Sequence, residues 1–230
     1  MLRRGSRKKM IPQYIALCVS TTVWTPQKRE DIMRYNVRRI ARQIRASMWG
    51  AALGFPIKLI ALPELAITGA PDEIRLLDHE QMMDIVIDIP GEETEALGQI
   101  CKKHGVYLIG QAKAKDPEIM PDRFFNTCFI ISPEGKVIHK HHKTHVGAVE
   151  PSLVPGDVWD IYVEKYGNDP KKLLEAIFPV ARTEIGNIGT IICAEGFFPE
   201  SSRALAMKIS SSWISSKGRF DDKSAVRLWI

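Results

Sequence analysis

The feature that most constrains this chain is a short apolar run, a long amphipathic segment and a second short apolar run in succession. Tyr14 to Ser20 reads Tyr-Ile-Ala-Leu-Cys-Val-Ser, the pattern of a strand covered on both faces. Thr25-Pro26 offers an N-cap followed by proline at the first helical position. Beyond it Ile32, Val37, Ile40, Ile44 and Met48 mark one stripe of a long helix with Arg and Glu opposite, ended by Gly50 and Gly54-Phe55-Pro56. Lys58 to Leu62 is again a short apolar strand, stopping at Pro63-Glu64. The unit is strand, helix, strand, and it commits the chain to a sheet with parallel neighbours.

The pattern recurs downstream. A helix is predicted from about Thr94 to His104, with Gly105 as its stop and a strand from Val106 to Gly110. Asn126–Ile131 and Lys136–His141 flank Ser132-Pro133-Glu134-Gly135 and read as a hairpin. A second hairpin, Phe178–Thr183 with Ile188–Cys193, turns about 184–187, and Pro199–Lys208 reads as a helix. The run 154–172, rich in Pro, Gly, Asp and Tyr, reads as an irregular excursion, and 209–230 shows neither helical nor strand periodicity. Such alternation predicts a mixed α/β sheet and one domain, residues 11–208, between a basic leader (1–10) and an irregular tail (209–230).

Composition narrows the function classes. The net charge of +5 is matched by Arg3, Arg4, Arg7, Lys8 and Lys9, so the remainder is balanced. The leader reads as a disordered, solvated tip rather than a nucleic-acid or membrane anchor. No apolar run approaches the roughly 20 residues that cross a bilayer. Cys18, Cys101, Cys128 and Cys193 are far apart with no C-x-x-C pair, which points to reduced thiols in a cytoplasmic protein. A chain of 230 residues buries about 70% of its unfolded surface, so no disulfide, metal or cofactor is needed to hold a core.

Three strand ends carry reactive side chains: Glu64, Lys143 and Cys193. Active sites of open α/β sheets lie at the carboxyl ends of strands, where loops converge on a rigid frame. Each residue alone has an ordinary reading as turn, surface charge or small buried hydrophobe. Four histidines, His139, His141, His142 and His145, crowd into seven residues. His139 and His141 share a strand face, a possible metal edge, but no Asp or Cys accompanies them in the segment. A thiol hydrolase of Cys-His-Asp type, with one of these histidines as base, is the rival enzyme and has no motif of its own.

Leu-Ile-Ala-Leu-Pro-Glu-Leu-Ala-Ile-Thr-Gly (59–69), the segment from Arg123-Phe-Phe-Asn-Thr to His145, and Gly-Thr-Ile-Ile-Cys-Ala-Glu-Gly-Phe-Phe-Pro-Glu (189–200) with the helix following resemble, in order, the three signature regions of the nitrilase superfamily of carbon-nitrogen hydrolases. The resemblance implies an α-β-β-α sandwich. It implies Cys193 as nucleophile, Glu64 as general base and Lys143 as third catalytic residue, with the N–H of Ala194 beside it at the oxyanion and Glu150 orienting Lys143 or substrate. No cofactor and no metal enter that chemistry. The partner implied is a small-molecule amide or nitrile, and a homo-oligomer is expected of a complete domain.

Cys193 is followed by Ala194 where nitrile-hydrolysing branches carry a bulky aromatic, which favours an amide or carbamoyl substrate over a nitrile. Glu195 and Glu200 are explained by the dipole of the helix start. Two departures stand out. His141-His142 replaces an aromatic-basic pair before the lysine, and after Met207 the serine-rich tail replaces the family's further strands and helices, about a fifth to a quarter of the usual domain size. On this reading the sandwich is C-terminally incomplete through a frame change or a truncated gene model, the sheet ends in an unpaired edge after 188–193, and a truncated, non-catalytic family member is the alternative.

Overall fold

A computed structural model describes residues 11–50, 54, 56–70, 77–147, 149–211 and 225–229. The basic leader falls outside them. Strand β1 (Ile15–Cys18) leads into α1, residues 29–50, and then β2 (Ile57–Ala61), as the strand-helix-strand pattern requires. Helix α1 opens at Arg29 rather than at Pro26, because the preceding segment is tied elsewhere: Asn36 exchanges hydrogen bonds with both backbone groups of Trp24. Its stretch Ile32–Val37 is π-helical. The five-residue step from Ile32 to Val37 explains this, since only a wider turn keeps both on the face that continues through Ile40 and Ile44, all four buried.

After α2 (His79–Ile85) and β3 (Ile87–Asp88), helix α3 (Glu92–His104) ends at Gly105, whose φ of +63° is the left-handed stop that glycine supplies. Strands β4 (Tyr107–Asp116), β5 (Met120–Ile131) and β6 (Val137–His142) follow as successive antiparallel partners. Together with β1–β3 they form one six-stranded mixed sheet, ordered β1-β2-β4-β5-β6 with β3 added beside the end of β4.

The region 154–172 is more regular than its composition suggests. A 3₁₀ turn at Pro155–Val158 runs into α4 (Trp159–Tyr166), and Asp169 caps α5 (Pro170–Ile177) by accepting from the N–H of Lys171. Pro155, Gly167 and Pro170 punctuate two short helices there; they do not prevent them. Tyr162 and Leu173 are buried against Phe125 and Leu153.

Strands β7 (Ala181–Thr183) and β8 (Gly186–Ile191) form the second hairpin, and α6 (Pro199–Ser211) follows. The expectation of an aperiodic tail and an unpaired edge needs correction. Helix α6 continues through Ser211, and β9 (Ala225–Trp229) pairs in parallel with β8 along Asn187–Ile191. Ala-Val-Arg-Leu-Trp is strand-prone once the edge of β8 offers its free backbone groups, a partner no local pattern reveals. Residues 212–224 lie outside the described part.

The layers are helix, sheet, sheet, helix, as the resemblance implies. One face of the large sheet (Ile60, Leu62, Leu108, Phe129, Ile131) packs on α1 and α3. Its other face (Leu59, Tyr107, Ile109, Cys128, Ile130) packs on Ala181, Ile185, Ile188 and Ile192 of the small sheet. Outside that sheet α6 lies so close that a Cβ on Gly189 would meet Leu205 at 2.8 Å.

Asn36 is buried and satisfied three times: its amide N–H groups donate to Trp24 O and Ile67 O, each at 2.8 Å, and its Oδ1 accepts from Trp24 N at 3.1 Å. It thereby ties α1 to the turn that follows β2. Asn36→Ala is expected to cost about 2–4 kcal/mol, because three hydrogen bonds of a buried side chain are lost together, one of them to the buried Ile67 carbonyl; urea unfolding midpoints measure it.

Candidate active site

The face of the large sheet turned toward the small one changes character along its length. On β4 it runs Tyr107, Ile109, Gln111, Lys113; on β5, read against the chain, Ile130, Cys128, Asn126; on and beyond β6, His139, His141, Lys143. These residues alternate with ones on the helix side, so strand period alone puts them together. Apolar side chains fill the middle of the sandwich and polar ones gather at one end. That end holds the carboxyl termini of the parallel strands β1, β2 and β4, where Glu64 emerges three residues after β2.

Lys143 is buried and shared by two carboxylates: its Nζ donates to Glu64 Oε1 at 2.8 Å and to Glu150 Oε2 at 2.7 Å. Asn126 Nδ2 binds the same pair, donating to Glu64 Oε1 at 3.0 Å and Glu150 Oε1 at 2.6 Å. Burial alone would depress the Lys143 ammonium, but hydrogen bonds and charge from Glu150 and Glu64 outweigh it and raise its pKa. Glu150 moves the complementary way. Burial would raise it, while the charge of Lys113 and the bonds from Lys143 and Asn126 hold it below the usual carboxylate range.

Among the described residues, two non-glycine positions have positive φ, and both belong to this site: Leu65 (+66°), next to Glu64, and Cys193 (+43°). Backbone strain of this kind persists only where the surroundings hold it. The N–H of Leu65 donates to Gln111 Oε1 at 2.6 Å, and Gln111 in turn hydrogen-bonds Asn126. Cys193 opens a 3₁₀ turn, Cys193–Phe197, just past β8, and is exposed. Burial of its sulfur, the charge of Glu64 and a hydrogen bond to Glu64 push the thiol up; Lys143 and the N–H of Ala194 pull the other way. Glu64, Lys143, Cys193, Glu150 and Ala194 therefore meet in one cluster.

Glu195 does something the helix-dipole reading missed. It is fully buried, and its carboxylate accepts from Ile192 N (2.7 Å), Thr144 N (2.7 Å), Thr144 Oγ1 (2.6 Å) and His141 Nε2 (3.0 Å). Ile192 precedes the thiol and Thr144 follows the ammonium, so one side chain clamps both segments together. The dipole rule sees only the start of α6; a long-range partner is invisible to it. Glu200, by contrast, is exposed in the first turn of α6, where that rule suffices.

The histidines are dispersed. His139 bonds Thr190, and burial, with His141 and Lys208 nearby, lowers its pKa to about 3. His142 lies between Thr127 and Asp116 under Phe125, and His145 stacks on Phe198 at 3.9 Å. Among the described residues no group of three or more His, Cys, Asp or Glu is arranged for a metal. The thiol's carboxylate partner is Glu64 rather than a histidine.

Sequence reasoning also passed over Gln111, Lys113 and Asn126. Polar residues at 111 and 113 alternate with Ala112 and Ala114 in a buried strand that runs on to Asp116, beyond the end at Gly110 that the local pattern predicts.

The carbon-nitrogen hydrolase family profile matches residues 25–219. The chain belongs to this family. A nitrilase of Pyrococcus abyssi is 31% identical over 152 residues, covering 66% of this chain and 48% of its own. A formamidase of Helicobacter acinonychis is 28% identical over 217 residues, covering 93% and 56% respectively. The structure of Saccharomyces cerevisiae Nit3, a member of branch 10 of the nitrilase superfamily, superposes with a TM-score of 0.52 at 24% identity, over 78% of this chain and 56% of that one. The chain thus spans about half the length of these family relatives.

The bonds from His141 and Thr144 outweigh the burial that would raise Glu195, and its pKa falls to about 2. A depressed carboxyl stabilises the fold above its unfolded pKa of about 4.3, and that contribution disappears as pH falls toward 2. Glu195→Gln is expected to be markedly less stable than the parent at pH 7, with the gap narrowing on acidification through that window. Urea midpoints from pH 7 to pH 2 check it.

Proposed function

We propose that this protein hydrolyses a non-peptide carbon–nitrogen bond of a small-molecule amide or carbamoyl compound through a thioester on Cys193. The observation that carries the reading is the junction of a thiol, a carboxylate and a buried ammonium: Glu64 lies close enough to Cys193 to push its thiol pKa up, and Glu64 accepts from Lys143 at 2.8 Å. Glu64 takes the thiol proton as sulfur attacks the carbonyl carbon. Lys143 and the N–H of Ala194 stabilise the oxyanion. Collapse of the intermediate expels ammonia or amine, protonated by Glu64, and leaves the thioester. Glu64 then activates water, which releases the acid and restores the thiol. Glu150 is a positioning residue that aims Lys143.

A metal or cofactor has no step in this scheme. The reading extends to one catalytic unit from residue 11 through α6 that includes β9, and to a cytoplasmic homo-oligomer without nucleic-acid or membrane partners. In support, the four cysteines are free, and among the described residues no helix is long and apolar enough to cross a membrane. The formamidase relative and the small Ala194 favour amides. The nitrilase relative favours the second reading, in which the same thiol attacks a nitrile and water carries the adduct to acid and ammonia.

Ammonia release from formamide, short aliphatic amides, carbamoyl amino acids and a nitrile, followed for the chain and its variants, tests the scheme. Cys193→Ala is expected to abolish turnover, and Glu64→Gln and Lys143→Met each to cost about a hundredfold or more. EDTA is expected to leave activity unchanged. Undiminished hydrolysis by Cys193→Ala would overturn the mechanism, and turnover of the nitrile alone would select the second reading. An inert parent chain would favour a non-catalytic member.

A further inference from the structure

Glu150 faces two ammonium groups. Lys143 takes its Oε2, and Lys113, from the middle of β4, reaches its Oε1 at 3.3 Å and Ser152 Oγ at 3.2 Å. Lys113 is 0% exposed. A lysine fully removed from water needs a compensating partner, and an apolar side chain of similar volume fills such a place at no electrostatic cost. Its retention beside Glu150 therefore has to be read against the charges it meets.

Among the described residues those charges come from five segments. The turn after β2 contributes Glu64, the segment after β6 Lys143, the loop before α4 Glu150, strand β4 Lys113, and the end of β8 the Cys193 thiol. Asn126 and Ser152 are neutral; Glu195 and His141 pair with each other behind the thiol. With Lys113 the two carboxylates are balanced by two ammonium groups. Without it Lys143 alone, among the described residues, would answer both, and the thiolate and the oxyanion would form beside one carboxylate more than there are ammonium groups to match it.

We propose that Lys113 is a positioning residue that neutralises Glu150, so that the positive charge of Lys143 stays available to Glu64 and to the anion developing at Cys193. This rests on the assignment of Cys193 as nucleophile. It adds a residue that touches neither substrate nor thiol and acts through Glu150.

The test reads the thiol directly and needs no substrate. The rate of Cys193 carbamidomethylation by iodoacetamide is followed against pH, with the modified peptide resolved by mass spectrometry and the exposed Cys18 as internal control. In Lys113→Met the Cys193 profile is expected to move about one pH unit upward, roughly tenfold slower alkylation at a fixed pH below the midpoint, because one unbalanced carboxylate remains close by. Cys18 should not move. Glu150→Gln is expected to shift Cys193 the opposite way, and Lys113→Met/Glu150→Gln to return it to the parental profile.

A parental profile in folded Lys113→Met, or an upward shift that Glu150→Gln does not reverse, would overturn the proposal. If Lys113→Met does not fold, Glu150→Gln against the double variant isolates the same charge, and coincident profiles there overturn it equally. An inert parent chain whose alkylation profile still shifts as described would sink the hydrolytic reading and leave the role of Lys113 standing; turnover without the shift would do the reverse.

Discussion

The Lys143 side chain is buried, and much of the molecule is arranged so that it can be. Desolvating a lysine costs several kcal/mol unless opposite charge and hydrogen bonds replace the lost hydration. Here Glu64 and Glu150 supply both, from segments 79 and 7 residues away in sequence. Each must arrive in register. Lys143 extends the row His139–His141 on β6, Asn126 ends the matching row on β5, and Glu64 leaves β2 beside β4. A slip of one residue in β6 would point Lys143 at the helix layer, so the apolar pairing of the sheet also positions the charge.

The polar end of the sandwich is stiff. Leu65 and Cys193 hold strained backbone conformations at the site; Leu65 is secured by a buried side chain from β4, and the Cys193 turn by a buried side chain of its own. Gln111 fixes the Glu64 turn, while Glu195 fixes both the nucleophile turn and the chain after Lys143. The His141 ring in turn lies between Ile177 O at 3.0 Å and the Glu195 carboxylate at 3.0 Å, which holds Glu195 in place. Such second contacts hold a thiol, a carboxylate and an ammonium in one geometry.

Where structure and sequence diverge, the cause is non-local. The two helices within 155–177 were hidden by Pro155, Gly156, Gly167 and Pro170, which mark the ends of short elements as readily as a loop. β9 lies in a stretch without amphipathic period and is recruited by the free edge of β8. Glu195 and Lys113 look like surface charge in one dimension, and only their burial against partners 30 to 60 residues away reveals otherwise.

The sequence by itself determined what rests on local chemistry: the strand-helix-strand start, α3 with its glycine stop, the hairpins at 132–135 and 184–187, and the three segments that carry Glu64, Lys143 and Cys193. Period, caps and turn residues act within a few positions, so they can be read along the chain. Only the tertiary structure decided how the site is held. Glu150 meets two lysines, Asn126 bridges two glutamates, and Glu195 clamps the thiol's strand to the lysine's loop. Those contacts exist because the facing sheets exclude water, and a buried charge then has to find its partner through space, whatever the sequence distance.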